Sequence, residues 1–259
     1  GPRIAGAELY YMPLQKENDY VIQLQNIPEE IARKAKFMLV SYPNNPTAAM
    51  APESFYHEVV AFAKKYDIIV LHDNAYSELV FDGQSCGSFL SIPGAMEVGV
   101  EFNSLSKTYG LAGARIGFCV GNKEVVGMLK TLKSNMDYGM FLPIQAAAVE
   151  ALTGNQAVVA ETRAAYEHRR DVLCDGLIEA GWHMEKSAGT MFVWAPIPDS
   201  YQDSESFVAD LLDKTGVLVT PGSAFGPSGE GYVRMALVQS EDTMKKIVEA
   251  VAASDIFGK

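Results

Sequence analysis

The sequence is poor in cysteine and histidine, and each shortage excludes a class of protein. Its three cysteines, Cys86, Cys119 and Cys174, are odd in number and widely spaced, which argues against a disulfide framework. The four histidines show no metal-ligand spacing and do not accompany the cysteines, so we expect no metal site. This cysteine usage fits a reducing, cytoplasmic setting.

Basic clusters and long apolar runs are also lacking. The sequence has 21 Lys and Arg against 32 Asp and Glu, a net charge of −11, and no stretch concentrates the cations. We therefore expect neither a nucleic acid nor an anionic membrane as partner. No apolar run approaches the roughly 18 residues of a membrane span. The N-terminus lacks the basic-then-apolar layout of a signal peptide.

The composition that remains is that of an ordinary globular protein. At 259 residues, of which 48% are hydrophobic, the chain is long enough for one large or two modest domains. Residues 30–120 alternate short β-rich runs with helical stretches, which is typical of an α/β sheet. We predict buried strands at 36–43, 68–73 and 98–104, and a helix at 52–66. The near-continuous apolar runs favour parallel strands covered on both faces.

A fourth strand is predicted at 115–121, and its connection indicates its direction. Residues 105–114 are fewer than the dozen or more that a parallel crossover usually needs, so this strand should run antiparallel. Arg115, its first residue, would then lie at the same sheet edge as the carboxyl ends of the other strands. Ligands of open α/β sheets bind at that edge.

The second half of the chain is predicted to be mostly helical, with a few further strands. Helices are predicted at 122–135, 141–153, 156–180, 204–214 and 240–253, and strands at 190–196, 217–220 and 231–238. We therefore predict an α/β fold in two parts. Residues 1–155 would form part of a large domain with a mostly parallel sheet. Residues 156–259 would form a smaller α+β domain that includes the helix between the two.

Polar residues gather at the predicted strand ends, and their chemistry is specific. They are Asn45, Asp73, Tyr76, Ser104, Ser106, Lys107 and Arg115. A lysine held in such a place can form a Schiff base with an aldehyde. Two hydroxyls and an arginine beside it suit a phosphate group, and an aspartate facing a pyridine nitrogen keeps that nitrogen protonated. Together these groups describe a site for pyridoxal phosphate.

Three motifs carry a resemblance to a known family. The segment SLSKTYGLAGARIG resembles the lysine motif of class I/II aminotransferases, which are fold type I pyridoxal-phosphate enzymes. YPNNPTA resembles their N-P-T-G segment, and LHDNAYSELVF their D-x-x-Y segment. The motifs occur in the family's order, and the resemblance runs from AGAELYYMPL to GYVRMALV. Among subgroups it is closest to aspartate and LL-diaminopimelate aminotransferase-like proteins.

The resemblance implies a role for each residue at the cofactor ring. Lys107 would form the Schiff base and move the proton between the amino-acid Cα and the cofactor C4′. Asp73 would pair with the pyridinium nitrogen, while Asn45 and Tyr76 would hydrogen-bond the phenolic oxygen. Asp73 could instead cap a helix, Asn45 could serve only the turn before Pro46, and Tyr76 could be a packing aromatic.

The resemblance also implies the groups that bind the two anions. Ser104, Ser106 and Arg115 would hold the phosphate, and Ser106 is the weaker assignment because the family often has alanine there. Arg234, in the segment GYVRMAL, would clamp the substrate α-carboxylate through a bidentate pair. An ion pair with a surface carboxylate is the alternative role for Arg234.

The sequence departs from the family's pattern in two places. Ala48 stands where the family has glycine after N-P-T, which a turn accepts if the backbone φ angle there is negative. In addition, the family's upstream segment is absent from this sequence. That segment supplies a phosphate loop, an aromatic over the pyridine ring and a tyrosine that reaches the neighbouring subunit. We therefore expect a fragment of a longer chain, although Gly1-Pro2 could equally be a tag remnant, and we expect the fragment to need its missing part or a partner for stability.

The function implied is amino-group transfer between an amino acid and a 2-oxo acid, by a protein that is a homodimer in its full-length form. The shared residues stabilise a carbanion without choosing its fate, so a lyase or decarboxylase on the same scaffold stays open. A non-catalytic cofactor-binding or dimerisation fragment is the third alternative. The identity of the donor amino acid, and the activity of these residues alone, are left open.

Overall fold

The computed structural model describes residues 1–257 and contains two β-sheets joined by helices. The strands are β1 (Phe37–Ser41), β2 (Ile69–Asp73), β3 (Gly99–Ser104), β4 (Gly117–Gly121), β5 (Phe192–Pro196), β6 (Thr220–Pro221) and β7 (Tyr232–Ala236). The helices are α1 (Glu29–Lys34), α2 (Glu53–Tyr66), α3 (Ala95–Val98), α4 (Leu105–Thr108), α5 (Lys123–Met136), α6 (Leu142–Thr153), α7 (Ala157–Glu179), α8 (Ser204–Thr215) and α9 (Glu241–Ala253).

The first sheet has the order β1-β2-β3-β4, and only its last strand is reversed. Strands β1, β2 and β3 are mutually parallel, whereas β4 runs antiparallel to β3 with Ser104 opposite Gly117. This confirms the predicted α/β fold with one antiparallel strand. Arg115 lies two residues before β4 and is not its first residue. Its φ of 53° is left-handed, and a strand cannot continue through that conformation.

One face of the first sheet packs against α2. The helix begins after Pro52 and turns Phe55, Val59 and Ala63 toward the sheet, which is the spacing that places side chains on one helical face. Alternate strand residues such as Val40 and Val70 meet them and are fully buried. At roughly 2 kcal/mol for each fully buried aliphatic side chain, this layer is a major part of the fold's stability.

The opposite face of the same sheet is exposed at β1 in the part of the chain that the structure describes, whereas Val100 of β3 on that face is buried. Phe37 and Leu39, which alternate with buried residues along β1, are 62% and 59% exposed. Large apolar residues of β4, α5 and α6 are exposed as well. The prediction that both faces are covered is therefore wrong for β1, because α2 packs on one face of that strand only and the apolar run in the sequence does not reveal what covers the other.

The second sheet is antiparallel, with the order β5-β7-β6. Its inner face carries Val193, Val233 and Met235, which pack with α7, α8 and α9 around Trp182 and Phe207. Both ends of α8 are capped by residues next to the helix. The Asp203 side chain accepts from the Ser206 amide at the start, and Gly216 ends the helix in the left-handed conformation.

The two sheets are held together by a short backbone junction and a buried arginine. The Phe81 amide donates to the Ala188 carbonyl (2.9 Å), and the Thr190 amide donates to the Leu79 carbonyl (2.7 Å). Arg170 on α7 binds both carboxylate oxygens of Asp82, at 2.7 and 2.8 Å, and is almost fully buried. This junction places β7 near the carboxyl ends of the first sheet.

No helix within residues 1–257 has the combination of length and apolar character that crossing a membrane requires.

Candidate functional site

The candidate site lies where the three parallel strands end. Asp73 is the last residue of β2 and pairs in register with Ser41 of β1 and Phe102 of β3. Asn45 follows β1 by four residues, and Lys107 lies in the single turn of α4 that directly follows β3. Because parallel strands end at one edge, three separate segments deliver an amide, a carboxylate and an amine to the same rim.

Two adjacent asparagines in the turn after β1 have different hydrogen-bond partners. The Asn44 side chain accepts from both the amide and the hydroxyl of Thr47, at 3.2 and 2.8 Å, and so closes the turn. The Asn45 side chain is therefore left for another partner, and its oxygen accepts from Nη1 of Arg234 at 2.9 Å. Asn45 thus joins the first sheet to β7, and turn chemistry is the role of its neighbour.

Tyr76 is a buried residue of the site with Lys107, Asp73 and Arg234 around it. It is 8% exposed, its ring packs edge-on against Phe192, and Nζ of Lys107 lies 5.9 Å from the ring centroid. Burial raises the pKa of its hydroxyl and the Asp73 carboxylate raises it further, whereas Arg234 and Asn45 lower it. The hydroxyl therefore stays protonated at neutral pH and can donate a hydrogen bond.

The α4 turn presents Lys107 beside two serines. The Ser104 hydroxyl caps the turn by accepting from the Ser106 amide at 3.2 Å, and Ser106 itself is buried. Asp73 has a similar capping contact, because its Oδ1 accepts from the Ala75 amide at 3.2 Å. Arg115 is exposed in the connection to β4, where its Nη1 donates to the Ala112 carbonyl at 3.1 Å.

Arg234 reaches the same rim from the second sheet. It pairs with Trp194 across β5 and with Thr220 across β6, so its side chain leaves the sheet on the face opposite the core. The guanidinium carbon lies 4.1 Å from the ring centroid of Phe192 and 4.7 Å from that of Phe225. Burial lowers the pKa of the guanidinium, and its Nε is buried without a hydrogen-bond partner. Its observed polar partner is Asn45 rather than a surface carboxylate.

The structure thus brings Asn45, Asp73, Tyr76, Lys107 and Arg234 together, with Ser104 and Ser106 adjoining. Sequence reasoning missed Phe192 and Phe225, the two rings around the Arg234 guanidinium. A signal for Phe192 was available, because it lies two residues from Trp194, on the same face of β5 as the Arg234 side chain. Phe225 ends a short 3₁₀ helix (Gly222–Phe225), and its approach to Arg234 depends on the tertiary structure alone.

Ala48 has a φ of 58°, in the left-handed region that favours glycine, and it is only 3% exposed. The condition of a negative φ is therefore not met. We expect Ala48→Gly to raise the free energy of unfolding by about 0.5–1 kcal/mol, since glycine relieves most of the left-handed strain. Urea denaturation measures this. Ala35→Gly is the control, because Ala35 has a φ of −60° and should lose stability instead. Equal losses in both variants would contradict the strain argument.

A second polar cluster lies on the reverse side of the first sheet. His72 alternates with Asp73 along β2 and is completely buried, and its Nδ1 lies 3.2 Å from Oε2 of Glu101 on β3. The same Glu101 oxygen accepts from the Ser88 hydroxyl at 2.8 Å and the Phe89 amide at 3.0 Å. Burial by itself raises the pKa of Glu101, but the hydrogen bonds from His72 and Ser88 outweigh it and hold the pKa at about 2. Residues 1–257 contain no His, Cys, Asp and Glu cluster suited to a metal ion.

This shift predicts a pH dependence of stability. The folded-state pKa of Glu101 is depressed, so its contribution is complete above about pH 4.5 and is lost as the pH falls toward 2. At pH near 3 the native protein should have lost about 2 kcal/mol from this group. Urea denaturation at about pH 6 and pH 3 tests this by comparing the protein with Glu101→Gln, whose stability should fall less. A matched control is Glu97→Gln, because Glu97 is an exposed carboxylate just before β3, the strand that carries Glu101.

Comparison with known proteins supports this description. The family model for aminotransferase class I and II matches residues 1–251. The chain belongs to this family, whose members depend on pyridoxal phosphate, and the predicted resemblance is confirmed. This chain is 48% identical over 249 residues to the LL-diaminopimelate aminotransferase of Moorella thermoacetica, and the match covers 96% of this chain and 64% of that protein.

Solved structures agree with the fold. The apo structure of BacF from Bacillus subtilis matches with a TM-score of 0.94 at 38% identity, covering 100% of this chain and 66% of that one. A probable N-succinyldiaminopimelate aminotransferase from Thermus thermophilus matches with a TM-score of 0.89 at 33% identity, covering 97% of this chain and 67% of that one. The chain spans less than two thirds of the length of the Moorella relative.

Proposed function

We propose that this protein is a pyridoxal-phosphate-dependent aminotransferase that moves an amino group between an amino acid and a 2-oxo acid. The observation that carries the proposal is the convergence of Lys107, Asp73, Tyr76, Asn45 and Arg234 from three strand ends and a second sheet. An amine, a carboxylate and a protonated phenol meet an arginine there, and few other reactions need all four at one rim.

The residues present fit the cofactor. Asp73 is exposed at the rim, so its carboxylate is free to face a ring nitrogen, and the buried Tyr76 hydroxyl is a donor for a phenolic oxygen. Ser104, Ser106 and Arg115 are the candidate phosphate ligands, since hydroxyls, backbone amides and a guanidinium suit that anion. When bound, pyridoxal phosphate supplies an electron sink for the negative charge that develops on the amino-acid Cα.

The chain's own residues would then transfer the proton and bind the substrate. Lys107 would hold the cofactor through its side-chain amine, and the same amine would take up and give back the proton at the substrate Cα. Arg234 binds the substrate α-carboxylate, and the rings of Phe192 and Phe225 keep water from its guanidinium faces. The buried Nε without a partner supports this role, because a planar carboxylate can satisfy guanidinium donors in pairs.

The names of the relatives direct the choice of substrate. We propose LL-diaminopimelate as the first donor to test, because the Moorella relative is named for that activity. Along with it we propose a cytoplasmic homodimer, and a division of the chain into residues 1–155 of a cofactor-binding domain and residues 156–259 of a smaller domain. The separate cores around the two sheets support that division.

The experiment supplies the purified protein with pyridoxal phosphate, LL-diaminopimelate and 2-oxoglutarate, and follows glutamate formation. Glutamate that appears only with both substrates supports the proposal. Ammonia or carbon dioxide from the amino acid without an acceptor would instead assign a lyase or a decarboxylase. Cofactor bound at Lys107 with no turnover of any amino acid would assign a non-catalytic cofactor-binding role.

A further inference from the structure

We propose that the buried pair His72–Glu101 is a positioning device that fixes the strand ends carrying Asn45, Asp73 and Lys107 relative to one another. It rests on the proposed function, because positioning matters only if those three residues act on one ligand. Neither residue touches the rim, since both side chains point to the reverse face of the sheet.

The pair is fully hydrogen-bonded. Oε2 of Glu101 accepts hydrogen bonds from the Ser88 hydroxyl and the Phe89 amide and also contacts Nδ1 of His72. Oε1 of Glu101 accepts from Nδ2 of Asn103 at 2.9 Å. On the other side of the imidazole, Nε2 lies 3.2 Å from the Tyr42 carbonyl oxygen. The Tyr56 hydroxyl lies 3.4 Å from the same Nε2, so both nitrogens of the imidazole and both oxygens of the carboxylate have hydrogen-bond partners.

Each connection ends beside a residue of the site. Tyr42 directly follows β1 and begins the turn that holds Asn45, so His72 ties that turn to β2. His72 is itself the neighbour of Asp73. The imidazole therefore holds the β1 turn and the β2 carboxylate at a fixed separation across the sheet.

The other half of the network reaches β3. Asn103 donates to Glu101 and accepts from the Ser77 hydroxyl at 3.3 Å, and Ser77 adjoins Tyr76. Asn103 also precedes Ser104, the cap of the turn that carries Lys107. Glu101 thus connects the Tyr76 segment and the Lys107 turn through one side chain.

A positioning role explains why polar groups are used here. Burying a carboxylate and its polar partner is costly, and well-packed apolar side chains often replace such a pair with no loss of stability. Apolar contacts, however, have no direction and allow small shifts of one strand against another. Hydrogen bonds to fixed atoms on all three strands restrict such shifts, and catalytic groups need positions fixed to within about 0.5 Å.

The test compares Glu101→Gln with the exposed control Glu97→Gln. Pyridoxal phosphate is titrated into each apo-protein by absorbance, and hydrogen exchange is measured in the apo-proteins over residues 42–47 and 74–77. We expect Glu101→Gln to weaken cofactor binding at least tenfold, to speed exchange in both segments and to lower kcat with little change in KM. The control should behave like the unaltered protein.

A second variant protects the test against misfolding. Ser88→Ala removes one donor from Glu101 and leaves the contact between His72 and Glu101, so it should fold and show the same changes to a smaller extent. Loss of stability with cofactor affinity and exchange unchanged within twofold would overturn the proposal, because the network would then be structural only. If the unaltered protein binds no pyridoxal phosphate, the proposed function fails and the positioning role falls with it.

Discussion

Replacing Lys107 with arginine is expected to lower the rate of amino-group transfer by at least about a thousandfold, since proton transfer by a positioned side chain contributes about 10²–10⁴-fold and the covalent link to the cofactor is lost as well. Arginine is at least as long as lysine, but its guanidinium does not lose a proton in proteins and so cannot serve as the base. Initial rates of glutamate formation at saturating cofactor measure the effect. The control is Lys130→Arg, an exposed lysine on α5, which should leave the rate unchanged.

Borohydride reduction separates loss of chemistry from loss of folding in this experiment. In the unaltered protein the reduced cofactor should be found by mass mapping on the peptide that contains Lys107, and in Lys107→Arg on no peptide. A variant that keeps more than a tenth of the activity, or a cofactor mapped to another lysine, would show that Lys107 is not the residue that holds the cofactor.

Replacing Arg234 with lysine is expected to lower kcat/KM for the amino acid about a hundredfold, because breaking a buried charge pair typically costs 2–5 kcal/mol. The planar guanidinium fits between Phe192 and Phe225, where it also holds Asn45. A lysine ammonium is a point charge that cannot stack between the rings or offer two parallel donors to a carboxylate. Steady-state kinetics over a range of amino-acid concentrations measures the change.

Cofactor binding provides the internal check on this result. Arg234 comes from the second sheet, so pyridoxal phosphate affinity should change less than threefold in Arg234→Lys. Arg33→Lys, on the exposed surface of α1, is the matched control. If KM is unaffected, or if the cofactor affinity falls as far as kcat/KM, Arg234 does not bind the substrate carboxylate.

Much of the first sheet could be predicted because its signals are local. The apolar runs of β1, β2 and β3 marked buried strands, and a connection too short for a crossover required β4 to be antiparallel. Strand direction then placed Asn45, Asp73 and Lys107 on one edge without any knowledge of side-chain contacts. Arg115 was misplaced by two residues because a single left-handed φ ends a strand without leaving a signal in hydrophobicity.

Other features of the site depend on contacts between distant parts of the chain. The rings of Phe192 and Phe225 around Arg234 come from β5 and from a short 3₁₀ helix, and no spacing in the sequence relates them. The role of His72 was visible only in part. Alternation along β2 places it on the face opposite Asp73, but does not reveal that Glu101 and the Tyr42 carbonyl meet it there.

By itself, the sequence determined which residues carry the chemistry and to which edge of the sheet they go, because strand period and connection length are properties of neighbouring residues. Only the tertiary structure decided that Arg234 meets Asn45, that the backbone at Ala48 is strained, and that His72 pairs with Glu101 on the reverse face of the sheet. Those outcomes depend on how two sheets dock across a junction of a few hydrogen bonds and one buried arginine. Docking joins residues far apart in the chain, and no local pattern encodes the angle at which they meet.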